Sequence, residues 1–140
     1  MSQNKPIILL DPYPRTMDLL FSKENLKYLK KNFKLITAPN KNKNNFYEKN
    51  LSKADYIFGQ PNLPSSLISK STKLKAIFNV ESNFMDNMDY DYCFRKGIHV
   101  LATSPVFAQP VAEMAMGLTL SIARSIHIAH SDFISKKEKY

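Results

Sequence analysis

Residues 6–10 read Pro-Ile-Ile-Leu-Leu and end at the turn cluster Asp11-Pro12-Tyr13-Pro14. A short, continuous apolar run of this kind suits a strand covered on both faces, as in a parallel sheet. Four further runs lie outward from it: Leu35–Thr37, Tyr56–Gly59, Leu74–Val80 and Ile98–Ala102. The run Tyr56–Gly59 stops at Gly59 and Pro61. Helical stretches separate the runs. Met17–Phe33 has Leu26, Leu29 and Phe33 at helical spacing, and Ser22 with Asn25 opens its regular part. Pro39–Asn45 reads as a loop, Phe46–Leu51 as a short helix and Pro64–Ile68 as a single turn. Residues 86–97 read as a helix with Asp89 as N-cap, Tyr90, Cys93 and Phe94 on the buried side, and Gly97 as the stop. Five strands alternating with helices predict a parallel five-stranded α/β sheet with helices on both faces.

The second part of the chain reads differently. Residues 103–109 form a loop containing Pro105, and Pro110 is expected in the first turn of one long helix. Val111, Ala115, Leu118, Ile122, Ile126 and Ala129 make an apolar stripe, while Met114, Met116, Leu120 and Ala123 cover much of the rest. A helix apolar nearly all round needs partners on more than one side. The Val111–Ile128 helix is therefore expected to contact a further domain or a second subunit.

The 140 residues suffice for one domain with a real core and part of a second. The formal charge is +8, but it is uneven. Residues 1–75 hold 14 Lys or Arg against 5 Asp or Glu, and residues 76–140 hold 6 against 7. The lysines sit among Asn and Ser, with little arginine and no nucleic-acid motif, so they read as a solvated surface and no nucleic-acid partner is expected. A single cysteine excludes an internal disulfide framework. No apolar stretch is read as spanning a membrane, and no signal peptide is read at the N-terminus. The cytoplasm is the expected location.

The succession Leu74-Lys75-Ala76-Ile77-Phe78-Asn79-Val80, Asp86-Asn87-Met88-Asp89-Tyr90, Arg95-Lys96-Gly97-Ile98-His99-Val100, Pro110-Val111-Ala112-Glu113 and Ser121-Ile122-Ala123-Arg124 resembles the D-isomer-specific 2-hydroxyacid dehydrogenases. The resemblance implies a flavodoxin-like substrate-binding domain over residues 1–104. A hinge loop and the first long helix of a Rossmann coenzyme domain would occupy 105–140. It implies hydride transfer between NAD or NADP and the 2-position of a small hydroxy or keto acid. An arginine would fix the substrate carboxylate, and a histidine backed by a carboxylate would act as acid–base. In the family these three residues and the Gly-x-Gly-x-x-Gly loop belong to the coenzyme domain. Gly59, Gly97 and Gly117 are too far apart to make such a loop. No catalytic residue is therefore expected within the chain, and the chain alone is expected neither to bind the coenzyme nor to catalyse.

The resemblance also implies that backbone N–H groups at Ser82, Asn83 and Phe84 cradle the substrate carboxylate, and that Phe107 and Val111 approach the nicotinamide. The commoner family pattern has glycines at positions 82 and 84. Phe84 reads equally as a pocket wall or a core anchor. Glu81 reads as a solvent-facing charge or a substrate-selecting acid, and Asp11 as a ligand-edge residue or a turn former. His127 and His130, with Asp132, have helical ligand spacing but no further ligand, so no metal is expected. His99 and Cys93 read as packed residues. A receiver-like phosphoacceptor reading fails, because Gly59-Gln60 stand where its aspartate belongs. A non-catalytic binding or dimerisation module is the alternative to an oxidoreductase part, and a basic nucleic-acid surface is the weaker third.

Overall fold

The computed structural model describes residues 5–41, 43–81 and 83–137. Five parallel strands are built from the apolar runs: β1 Ile7–Asp11, β2 Lys34–Thr37, β3 Tyr56–Gly59, β4 Ala76–Phe78 and β5 His99–Leu101. Their order is β2-β1-β3-β4-β5. This is the flavodoxin-like order, in which β1 lies between its two neighbours and the chain reverses direction across the sheet at β1 and β3. The register places Leu9 beside Ile36 and Ile57, and Ile57 beside Ile77, which pairs with Val100.

That row faces one side of the sheet, since side chains alternate along a strand. Leu9, Ile57 and Ile77 are fully buried there, with Tyr47, Leu51, Leu67, Ile68, Met88 and Cys93. These come from or flank α3 Lys43–Asn50, the 3-10 turn Leu51–Lys53, α4 Ser65–Ile68 and α5 Tyr90–Arg95. Burying each Leu or Ile side chain contributes about 1.5–3 kcal/mol. The opposite face is partly aromatic. Phe58 stacks on Phe78 with centroids 5.4 Å apart, Phe21 meets Phe58 at 5.0 Å, and Phe33 meets Tyr56 edge-on at 6.2 Å. Phe21 and Phe33 flank α2 Lys23–Asn32, so helical segments contribute to both faces.

Several local expectations are corrected. The Met17–Phe33 stretch is two helices, α1 Met17–Leu20 and α2. They separate at Phe21-Ser22, where the extended Ser22 backbone lets its hydroxyl accept the Asn25 N–H. Asp89 caps α5 through the Tyr92 N–H, and Gly97 takes φ +71 beyond its end. Cys93 is buried, but Phe94 is 56% exposed, because a helix of six residues turns only one narrow face inward. His99 is exposed rather than packed: β5 is an edge strand whose inward residue is Val100.

Two compact units divide the chain, Met1–Thr103 and Ser104–Tyr140. In the second, helix α6 runs Ser104–Ala123, so residues 104–109 are helical and not loop. Pro105, five positions earlier, takes the first-turn place expected of Pro110, and Pro110 lies inside the helix. The expected single helix also breaks at Ser125, which has φ 53, and continues as α7 Ile126–Ile134. With its earlier start, α6 is long and apolar enough by length and composition to cross a membrane, carrying only Glu113 as a charge. Core helices of water-soluble proteins meet the same criterion, so length and composition alone do not assign a span. None of its residues is buried within this chain.

Candidate functional site at the carboxyl edge of the sheet

Ligands of open α/β sheets bind outside the carboxyl ends of the strands, beside the point where the strand order reverses. Here that edge carries buried polar chemistry. Asp11 ends β1 and is 2% exposed. Its Oδ1 lies 2.6 Å from Lys43 Nζ, and its Oδ2 accepts the Tyr47 hydroxyl at 3.1 Å. Burial, then the Asp11 charge, push the Tyr47 hydroxyl well above the usual tyrosine range. Lys43 Nζ also sits 4.8 Å over the Tyr13 ring. Asp11 is thus neither a free ligand-edge carboxylate nor only a turn former: it ties α3 to β1. Gly59 is its register partner, and a Cβ there would overlap the Asp11 carbonyl oxygen and fall 2.9 Å from Asp11 Cβ.

The loop after β4 is held at both ends. Glu81 accepts from Arg15 Nε at 2.9 Å and Arg15 Nη2 at 3.2 Å, and its own N–H reaches Gln60 Oε1 at 3.3 Å. This pairing holds the Arg15 guanidinium above its ordinary value. At the other end the Tyr90 hydroxyl accepts the Met85 N–H at 3.1 Å and lies 2.7 Å from the Met85 carbonyl and 2.9 Å from Asn87 Oδ1. Asn87 Nδ2 donates to Pro61 O at 2.6 Å. Asn83 and Phe84 lie between these ties and are exposed, Phe84 resting edge-on against Tyr90 at 5.2 Å. Phe84 is therefore not a core anchor. Ser82 lies outside the described residues. Phe107 and Val111 stand on α6, 50% and 63% exposed.

Beneath the loop Asn79 is 2% exposed, and neither atom of its side-chain amide makes a hydrogen bond of good geometry. Burial raises the Tyr90 pKa, and the Asn79 amide, within hydrogen-bonding reach of the hydroxyl, works against it; the well-formed bonds of that hydroxyl go to Met85 and Asn87. Gln60 Nε2 and Thr103 Oγ1 are likewise buried without partners. These three residues follow β3, β4 and β5, so unspent polar atoms collect at the carboxyl ends of three adjacent strands. Uncompensated buried polar atoms cost free energy and mark places where water or a ligand supplies the partner.

The chain matches the family model described as D-isomer specific 2-hydroxyacid dehydrogenase, catalytic domain, over residues 15–137. It belongs to that family. A phosphoglycerate oxidoreductase from Rhizobium etli is 37% identical, with a TM-score of 0.80 over 97% of this chain and 43% of its own. Two more distant structures share the fold. A D-lactate dehydrogenase from Aquifex aeolicus, in complex with NAD and lactic acid, is 21% identical, with a TM-score of 0.57 over 96% of this chain and 38% of its own. An NADPH-dependent glyoxylate/hydroxypyruvate reductase from Sinorhizobium meliloti, with NADP and malonate, is 20% identical, with a TM-score of 0.61 over 95% and 39%. The chain therefore spans less than half the length of these relatives. No curated protein matches it. Helix α6 falls inside the family match.

In this dehydrogenase family member, sequence reasoning picks out the loop after β4 but misses the ties that hold it. Arg15, Lys43, Tyr47 and Gln60 carry no site signal in the sequence, and Asn79 figures there only as part of a strand. Lys43 and Tyr47, spaced four apart, do carry a helical signal, which the loop assignment of 39–45 conceals. Among the described residues none of the three glycines sits in a phosphate cradle. Gly59 ends β3, where its close approach is to the Asp11 backbone. A Cβ at Gly97 or Gly117 would meet only open space, so neither glycine makes room for a ligand against packed backbone. His127 Nδ1 lies 3.2 Å from the Ser121 carbonyl near the end of α6, the ordinary role of a helix-end histidine.

Proposed function

We propose that this chain is the substrate-binding part, with the opening helices of the coenzyme domain, of an NAD(P)-dependent oxidoreductase that interconverts D-2-hydroxy acids and 2-keto acids. The family match over residues 15–137 carries the reading. The exposed loop at the carboxyl edge, tied at Glu81 and Met85, supports it. In this reading N–H groups at Ser82, Asn83 and Phe84 receive the substrate carboxylate, and Phe107 and Val111 face the nicotinamide. Arg15, at the head of the loop, is already paired with Glu81, and Lys43 with Asp11. The loop thus offers neutral donors, which orient a carboxylate without neutralising it. The residues of this chain hold and orient the acid; no proton or hydride step is assigned to them, and the 140 residues alone are proposed to be inactive. The cytoplasm is the proposed site of action.

Titrating the 15N-labelled chain with oxamate, an unreactive 2-keto acid isostere, tests this. Saturable amide shifts confined to residues 83–85 and Asn79 are expected. Shifts absent at millimolar oxamate, or scattered over the lysine-rich surface, would sink the reading. A second reading, an α/β dimerisation module, is favoured by the exposed apolar residues Val111, Met114, Leu118 and Ile122 on α6. Sedimentation equilibrium tests it: a concentration-dependent dimer supports association through α6, and a monomer at all concentrations opposes it.

A further inference from the structure

We propose that Arg15 is a positioning residue that orders the loop after β4, so that the Asn83–Met85 backbone is preset for an anion. As a role for that loop in ligand binding, this rests on the substrate reading above. Arg15 belongs to the turn after β1, and Glu81 to the loop after β4, with β3 between the two strands. Their pair passes over the end of β3, where Gln60 holds the Glu81 N–H. Three separate chain segments thus meet at the head of one loop. The far end is fixed by Tyr90 on Met85 and by Asn87 on Pro61. Between these ties Asn83 and Phe84 are exposed, and Phe84 rests on Tyr90.

Ordering a free loop residue costs about 1–2 kcal/mol of backbone entropy. A loop fixed before the ligand arrives spares binding that cost, which is the content of preorganisation. Arginine suits this because its planar fork engages both carboxylate oxygens, at 2.9 and 3.2 Å, and so fixes direction as well as distance. Lysine would give one point contact. The Arg15 side chain is 52% exposed, and exposed ion pairs add little to global stability. Its effect is accordingly local, on the loop.

The test uses the whole 15N-labelled chain as wild type, Arg15→Ala, Arg15→Lys and Glu81→Gln. Loop order is read from amide relaxation at Asn83, Phe84 and Met85 and from hydrogen exchange at Glu81. Oxamate affinity and the thermal midpoint are measured on the same samples. Arg15→Ala should lower the order of all three amides, speed Glu81 exchange roughly tenfold and weaken oxamate roughly tenfold, with an unchanged midpoint. Arg15→Lys should restore part of each, and Glu81→Gln should loosen the loop as Arg15→Ala does. Unchanged loop order in Arg15→Ala overturns the proposal. Tighter oxamate binding by Glu81→Gln also overturns it, because the freed Arg15 would then be an anion ligand itself. If wild type ignores oxamate while Arg15→Ala still disorders the loop, positioning stands and the substrate reading fails.

Discussion

Asp11 and Lys43 meet at 2.6 Å across the junction of β1 and α3, with the carboxylate 3% exposed and the lysine side chain 30% exposed. The Tyr47 hydroxyl takes the second carboxylate oxygen. Removing one partner of such a group leaves the other desolvated and unpaired. Lys43→Met is therefore expected to destabilise the chain by about 1–3 kcal/mol, discounted from a fully buried pair because solvent reaches the lysine. Urea unfolding at neutral pH measures this, and an unchanged midpoint would show that water replaces Lys43 without cost.

Gly59→Ala should be among the most damaging small substitutions. Its Cβ would collide with the Asp11 backbone, a fixed obstacle in the neighbouring strand β1. Overpacking of this kind costs about 1–3 kcal/mol or more. Gly97→Ala meets no atom within 4 Å and should cost only the strain of φ +71, about 1 kcal/mol. Thermal midpoints of the two variants decide between a steric and a conformational requirement; equal losses would contradict the contrast.

Alkaline pH should weaken the fold before it alters the sheet. Burial raises the Cys93 thiol and, with the Asp11 charge, the Tyr47 hydroxyl. Each group keeps its proton in the folded state at pH values where the unfolded chain has lost it. The native state then binds more protons, so unfolding free energy falls as pH rises. The decline should begin near the ordinary thiol range and steepen through the tyrosine range, about pH 8.5 to 10 and above. Urea midpoints across that interval provide the check. Cys93→Ala should flatten the first part of the decline, and a flat wild-type profile would contradict the assignment.

Leu118→Glu and Ile122→Glu place charge on the exposed apolar surface of α6. If a second copy covers this surface, either variant should shift sedimentation from dimer to monomer, with unchanged circular dichroism for the sheet unit. Loss of sheet signal in these variants would show instead that the apolar helix supports the fold of the first unit.

Strand positions are legible in the sequence because each apolar run is short and bounded: Pro6–Leu10 by a proline-rich turn, Tyr56–Gly59 by Gly59 and Pro61. Capping is legible for the same reason, since Ser22 and Asp89 act on amides three residues away. The helix start at Ser104 is obscured by two prolines, either able to occupy a first turn. The break at Ser125 has no glycine or proline to announce it. The ties of the candidate site are beyond reach for a different reason. Arg15 and Glu81 are 66 residues apart, and Asp11 and Tyr47 are 36 apart. Only the strand order brings them together, and nothing in local patterning encodes a pair across a parallel sheet.

The placement of β1 between β2 and β3 gives the opening strand an uncommon weight. In many domains the amino terminus is a place where trimming is tolerated. Here Ile8, Leu9 and Leu10 form the keel of the sheet, paired on both sides. Translation begun instead at Met17 would yield a polypeptide with β2 and β3 intact yet no strand to join them, and with neither Asp11 nor Arg15 to organise the loops above. Such a shortened product should emerge as two unpaired sheet edges, a substrate for proteases rather than a smaller version of the same fold.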